Sequence, residues 1–488
     1  MRPRAQLRCT LSVMAKVYLQ SLGCPKNLVD SEIMLGLVAG RGDEIVLDPA
    51  AADVLVVNTC GFIGDAKRES IDAILELARL KEHDPSKRLI VTGCLVQRYG
   101  GELQDSLPEV DAFLGTGDFV RLPQILARQI PADAQAYGGA AHLLPDVALP
   151  RVRTGQFFST YLKVSEGCDH TCSFCIIPKI RGRHESRAVD SVVTEAVKLV
   201  ADGVVELNLI AQDLTAYGRD RRDGSTLSQL LRTLVQIDGL QWIRLLYNYP
   251  RYVSDDLLDT IASEAKVCSY IDMPLQHISN RMLRSMRRER NGAAVRRLID
   301  KMRDRIPGVA IRTAFIVGFP GEMDSDFAEL LDFVREARFT RVGVFRYSKE
   351  EGTAAATLSG QVPESVKRQR HAALMRAQAE VSAALNRQLI GAEQDVLVCG
   401  QDDRGRLYGR LPTQAPEIDG VVFLDGEAAP GEIYRARITG ASTYDLRAKI
   451  SECAQIGIDS GDDSNYIPGP LREHDPRQKG PNACARHF

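Results

Sequence analysis

The stretch EGCDHTCSFCIIPKIRGR, residues 166–183, carries Cys168, Cys172 and Cys175 in a C-x3-C-x2-C spacing. Each corner iron of an iron–sulfur cube is normally ligated by a thiolate. Three closely spaced thiolates hold three irons and leave the fourth open to a small molecule. That pattern points to catalysis rather than to simple electron carriage. The plainer readings are a zinc knuckle or small buried side chains. A structural zinc site wants four ligands. His170, the one nearby candidate for a fourth, lies inside the short loop, where the geometry is poor.

The loop follows the first of six apolar runs: YLKVSEG (161–167), VELNLIAQ (205–212), WIRLLYNY (242–249), SYIDMPLQ (269–276), AIRTAFIVGFPG (310–321) and RVGVFRYS (341–348). Helical patterns lie between them, among them SVVTEAVKLVADG (191–203) and SDFAELLDFVREA (325–337). Six β/α units predict a partial barrel, short of the eight of a closed one, with its active site at the carboxyl ends of the strands. The cysteine loop falls at that mouth.

Towards the amino terminus, the runs VYLQSL (17–22), DVLVVNT (53–59) and RLIVTG (88–93) alternate with helical stretches, which predicts a parallel α/β sheet. Each run leads into a cysteine: Cys24, Cys60 and Cys94. Ligands of open α/β sheets bind beyond the strands' carboxyl ends. The repeated position therefore predicts a second three-cysteine cluster, although each residue taken alone could be a small buried side chain. Towards the carboxy terminus, a helical stretch from Pro363 to about Gly391 precedes QDVLVCG (394–400), RLYGRL (406–411), VVFLD (421–425) and YRARITG (434–440). Short strands with Gly and Pro at the turns predict a small β-barrel.

The expected organisation is α/β throughout the first two domains. Residues 1–13 are an extension, with Met14 as the working start. An amino-terminal domain (14–130), a Pro/Ala/Gly linker (131–152), the β/α core (153–383), the β-barrel (384–450) and a disordered tail (451–488) follow. Hydrophobic residues make up 44% and charged residues 26%, ordinary for a soluble globular protein. The net charge of −2 provides no global basic field for nucleic acid. No apolar run reaches the length of a membrane span. The eleven cysteines are odd in number and not spaced as a secreted disulfide framework, so a reduced, cytoplasmic compartment is expected.

The cysteine loop on a six-unit β/α core resembles the radical S-adenosylmethionine (SAM) enzymes. The domain order resembles their methylthiotransferases, which carry an amino-terminal three-cysteine domain, a radical SAM core and a carboxy-terminal TRAM barrel. SLGCPKNLVDSE (21–32), LYNYP (246–250) and LPTQAPEIDG (411–420) are similar to the RimO group, whereas the tRNA-modifying MiaB group usually has Gln-Met-Asn after the first cysteine. Family members typically stop soon after STYDL (442–446), so the tail departs from the pattern.

The resemblance implies methylthiolation of the β-carbon of an aspartate in the decoding-centre protein of the small ribosomal subunit. It implies two [4Fe–4S] clusters and two SAM molecules. Cys168, Cys172 and Cys175 would hold the SAM-coupled cluster, and Cys24, Cys60 and Cys94 the sulfur-donating one. A reductant such as flavodoxin or ferredoxin and a sulfur source are implied as partners. Candidate SAM contacts are Gln212 at the mouth, Arg312 for the carboxylate, and Gly318 and Gly321 for backbone approach to the adenosine. Against these stand a surface role for Arg312 and a tight strand-to-helix turn for the glycines. His277 reads as structural, and Arg181, Arg183 and Arg187 as loop-stabilising ion pairs, for instance with Glu185, or as a solvated face. Residues 384–450 hold ten acids and eight bases. An acidic barrel suits a basic protein better than RNA, which makes tRNA the less favoured substrate. A tRNA adenosine methylthiotransferase and a non-catalytic, metal-stabilised ribosome- or RNA-binding adaptor are the alternatives.

Overall fold

The computed structural model describes residues 14–128, 144, 149–288, 291–453 and 466–468. The expected extension, most of the linker and most of the tail lie outside them.

The amino-terminal domain is a parallel sheet in the order β2-β1-β3-β4-β5, with β1 Lys16–Ser21, β2 Glu44–Ile45, β3 Val54–Thr59, β4 Arg88–Gly93 and β5 Ala112–Leu114. Every residue of β3 is buried. Alternation across the pleat sorts its side chains. Val54 and Val56 pack with α1 (Pro25–Ala39), while Leu55 and Val57 pack with α2 (Gly64–His83) and α3 (Cys94–Ser106). Helix α1 is buried nearly all round, polar positions included, because it lies between this sheet and the central domain. A helix in that position must find partners for its buried charges.

All six runs of the central segment are strands. They form one parallel sheet in sequence order: Ser159–Lys163, Glu206–Ile210, Trp242–Leu245, Val267–Asp272, Ala310–Val317 and Arg341–Arg346. The sheet stays open, as a partial barrel. Its outer face (Leu207, Leu209, Ile243, Leu245, Ile271, Ile311) packs against the helices in the largest apolar core. Its inner face carries Lys163, Glu206, Arg244, Asp272 and Arg312, all buried. The inner face is thus reserved for paired charges and for the site.

The carboxy-terminal strands Glu393–Gln401, Leu407–Arg410, Val422–Asp425, Leu446–Cys453 and Ile433–Ala441 close into a barrel in that order. The strand 446–453 was not expected from the sequence. Its LRAKISEC alternates with charged residues and contains no apolar run. The barrel docks on the inner face through Glu206, which pairs with Arg244 at 2.9 Å and with Arg410 at 2.5 Å. Asp419 adds a 2.8 Å hydrogen bond from Tyr270. Within the tail, Tyr466–Pro468 pairs in parallel with Arg153–Gly155, so these three residues depart from the expected disorder. Among the described residues no helix is long and apolar enough to cross a membrane.

Candidate active site

Strands β1, β3 and β4 are neighbours, so their carboxyl ends bring Cys24, Cys60 and Cys94 to one edge. Cys24 is the N-cap of α1 and Cys94 begins α3. Side-chain amides tie the loops together. Asn27 donates to the carbonyls of Leu22 (3.1 Å) and Thr59 (2.9 Å), and Asn58 donates to the carbonyl of Asn27 (2.9 Å). The Ser70 hydroxyl accepts from Cys60 N–H and donates to Cys60 C=O, both at 3.0 Å. Gly93 sits at φ +100, and a Cβ there would fall 2.4 Å from Asn58 Oδ1.

The second triad follows the first central strand. Gly167, at φ +77, lets the loop turn back on itself, because a Cβ would fall 1.9 Å from the Arg183 carbonyl oxygen. Cys168 N–H then bonds Gly182 C=O at 3.1 Å, and Cys175 N–H bonds Cys172 C=O at 3.1 Å. Ser173 anchors the loop by donating to Ser285 C=O at 2.7 Å.

Both triads line a single cavity. All six cysteines are free thiols. Burial pushes Cys168 up to about 12 and raises Cys60, Cys175 and Cys94 as well. Burial raises Cys24 too, but Lys26, Arg181 and two backbone N–H groups outweigh it and the net shift is downward. Metal ligation requires deprotonated thiols, so metal binding here releases protons. Among the described residues no group of three or more His, Cys, Asp or Glu side chains converges closely enough to grip one bare ion. A cube is wider than an ion and presents its irons at separate corners, so three thiolates can ligate it without meeting. The donor set fits iron–sulfur clusters.

The charge around the cavity is one-sided. Its lining includes Lys26, Arg181 and Arg288 and, among the described residues, no carboxylate. Arg181 Nη1 lies 2.7 Å from Asp30 and 3.4 Å from Glu166, and its Nη2 reaches Cys94 Sγ at 3.4 Å. Lys163 pairs with Asp30 and, at 2.7 Å, with Glu166. Burial alone would raise Glu166, but Lys163 and Arg181 hold it at about 2. Two buried acids thus meet two buried bases across the domain boundary. Arg288 donates to Pro274 C=O at 2.9 Å, approaches Cys172 Sγ at 3.6 Å and stacks on the Tyr249 ring. Cations beside thiolate sulfur offset the negative charge of a ligated cluster and tune its potential.

Family models match in three places: an uncharacterized protein family, UPF0004, over residues 16–115, the radical SAM superfamily over 162–334, and a TRAM domain over 390–450. The ribosomal protein uS12 methylthiotransferase RimO of Pelobacter propionicus is 52% identical over 441 residues, covering 90% of this chain and 98% of that protein. The RimO of Geobacter sulfurreducens is 50% identical over 439 residues, covering 89% and 98%. The chain belongs to the RimO family of radical SAM methylthiotransferases. The radical SAM methyltransferase TsrM from Kitasatospora setae, solved with tryptophan and a SAM analogue, shares the fold at a TM-score of 0.50 and 16% identity over 68% of this chain and 73% of that one.

Within this RimO-family site, Gln212 lines the cavity and its amide donates to Glu166. Arg312 is buried on the inner face, 2.6 Å from Asp272, rather than on the surface, and it does not line the cavity. Gly318 (φ +73) and Gly321 (φ +80) shape the turn after the fifth strand, away from the cavity lining. Gly318 N–H donates to Glu322, and Gly321 N–H bonds Gly360 C=O at 2.7 Å. His277 is fully buried, accepts from two backbone N–H groups on Nδ1 and faces Glu322 at 3.3 Å. Arg187 pairs with Glu195, and the exposed Arg183 lies 3.4 Å from Asp169. His170 meets Asp213 at 2.6 Å and stacks on Tyr249. Sequence reasoning did not single out Lys26, Tyr247, Gln276 or Arg288. Tyr247 and Gln276 have positive φ (65° and 71°), a backbone state rare for such residues and concentrated at functional sites. Only their place at strand ends signalled them.

Proposed function

We propose that this chain methylthiolates the β-carbon of an aspartate in uS12, the decoding-centre protein of the small ribosomal subunit. The observation that carries the proposal is the shared cavity, in which a three-cysteine set with radical SAM spacing faces a second three-cysteine set on another domain. Cys168, Cys172 and Cys175 hold one [4Fe–4S] cluster, and Cys24, Cys60 and Cys94 hold the other. Bound there, the first supplies an open iron and an electron for SAM cleavage and hydrogen abstraction, and the second supplies the sulfur. The protein's own part is to hold the two thiolate sets on a common cavity through Arg181, Asp30, Glu166 and Lys163, and to keep cationic groups beside the sulfurs. Apolar lining from Phe62, Ile63, Phe174 and Ile177 excludes water from a reactive radical. Gln212 is placed to meet SAM at the mouth.

A reductant of the flavodoxin or ferredoxin kind and a sulfur source complete the reaction, and the eight cysteines whose side chains are described are free thiols, which suits the cytoplasm. Charge on the barrel favours a protein partner. Arg406, Arg435 and Arg437 pair with Asp402, Asp395 and Glu393 of the barrel itself, which leaves little concentrated positive charge for phosphate. Mass spectrometry of uS12 from a deletion strain tests the reading. The added methylthio mass disappears if it is right. Its persistence, or loss of a methylthio-adenosine from tRNA instead, refutes it.

A further inference from the structure

Lys26 is a cavity residue whose ammonium group has the Cys24 thiol as a charge partner and forms no ion pair with a carboxylate among the described residues. Its side chain lines the space shared by the two triads and is only 4% exposed. Its Nζ lies 3.1 Å from the centroid of the Tyr247 ring. Among the described residues it makes no hydrogen bond or ion pair with a carboxylate or carbonyl, although Glu166 and Asp272 act on it at longer range. The other two cations of the cavity are committed. Arg181 is held by Asp30 and Glu166, and Arg288 by Pro274 C=O, Cys172 and Tyr249.

A buried ammonium without a carboxylate is costly. Position makes the cost larger. Lys26 stands in the first turn of α1, where the helix dipole is positive and disfavours a cation. Tyr247 is itself held in place on the opposite domain: φ is +65°, and its N–H donates to Asp272 at 2.9 Å, which in turn pairs with Arg312. An ammonium resting on an aromatic face still presents donors on its other side.

We propose that Lys26 binds the carboxylate of the target aspartate and sets the enzyme's preference for an acidic side chain. This rests on the uS12 reading above. The carboxylate is one bond from the β-carbon that reacts, so holding it fixes the reacting carbon in the space between the two thiolate sets. The carboxylate also gives the ammonium a hydrogen-bond acceptor of opposite charge. An asparagine in its place offers only a neutral acceptor and no ion pair, and is disfavoured for that reason.

The test uses anaerobically reconstituted full-length enzyme and purified uS12 carrying either its native aspartate or asparagine at the target position. Wild type is expected to favour the aspartate form by about 100-fold or more in kcat/KM. Lys26→Met, and equally Lys26→Gln should the Met variant prove insoluble, is expected to bring that ratio to within about 10-fold, with iron still near eight per chain, as two cubes require. Lys26→Arg keeps a cation and is expected to retain the preference. An unchanged aspartate-to-asparagine ratio in the Met or Gln variant overturns the proposal. So does a fall to about four irons per chain, which would make Lys26 a support of the amino-terminal cluster. A raised SAM requirement with an unchanged ratio overturns it as well. Wild type inactive on both forms of uS12 would instead refute the uS12 reading itself.

Discussion

Arg181 Nη2 lies 3.4 Å from Cys94 Sγ, so an arginine at the end of one cysteine loop touches the last member of the other set. The same guanidinium pairs with Asp30 of the amino-terminal domain and with Glu166 of the core. Arg181→Met leaves Lys163 as the one cation paired with two buried carboxylates among the described residues. Breaking a buried network in this way costs ~3–5 kcal/mol. The variant is expected to lower the thermal midpoint of the apoprotein by several degrees and to weaken sulfur insertion more than SAM cleavage, because the registry between the sets is lost. Calorimetry and quantitation of deoxyadenosine against methylthio product check both parts.

Gly167→Ala addresses the core loop by itself. The new Cβ would fall 1.9 Å from a backbone oxygen at a φ of +77°, so residues 182–183 must move and the Cys168 N–H to Gly182 bond is broken. The left-handed conformation alone costs an alanine ~1–2 kcal/mol. Iron is expected to fall to about four per chain, since only the amino-terminal set remains intact, and SAM cleavage is expected to vanish. Iron near eight with normal cleavage would show that the loop tolerates the displacement.

The architecture was legible where burial is two-sided. Strands covered on both faces read as apolar runs with turn residues after them, and the central strands and β3 and β4 were of that kind, whereas β1 alternates buried and half-buried positions. The two cysteine sets were legible for the same reason, since each residue punctuates the end of such a run. A residue's burial was not legible where a neighbouring strand decides it. Arg312 was weighed as a SAM contact or a surface side chain. Its register opposite Asp272 on the adjacent strand buries it as half of an ion pair. Lys26 depends likewise on Tyr247, a partner on another domain. Local pattern contains neither fact.

Glu206 predicts how the carboxy-terminal barrel responds to acid. Burial alone would raise this carboxyl, but Arg410 and Arg244, helped by a bond from Ser159, hold it at about 2 against an ordinary 4.5. Its folded value lies below its unfolded one, so the contribution is complete above about pH 4.5 and is lost as the pH falls towards 2. The difference corresponds to about 3 kcal/mol. Glu206→Gln is expected to lose that stability at neutral pH and to flatten the acid limb between pH 4.5 and 2. Trp242, the chain's single tryptophan, pairs with Glu206 on the next strand and reports the transition by fluorescence.

The two cysteine sets should separate by function. Cys172 belongs to the loop that leaves an iron open, so Cys172→Ala is expected to abolish reductive cleavage of SAM to deoxyadenosine. Cys60 stands at the end of β3 on the other domain, with its backbone held on both sides by Ser70. Cys60→Ala removes a thiolate from the sulfur-donating set without disturbing the core loop, whose own contacts run to Ser285, Gly182 and Met286. It is expected to retain measurable cleavage while methylthiolation of uS12 stops, with iron falling towards about four per chain. Each variant keeps one set, so the pair forms its own control: products are lost in both, but deoxyadenosine in only one. Full methylthiolation by Cys60→Ala would remove the amino-terminal cysteines from the chemistry and leave their convergence on the cavity a matter of packing.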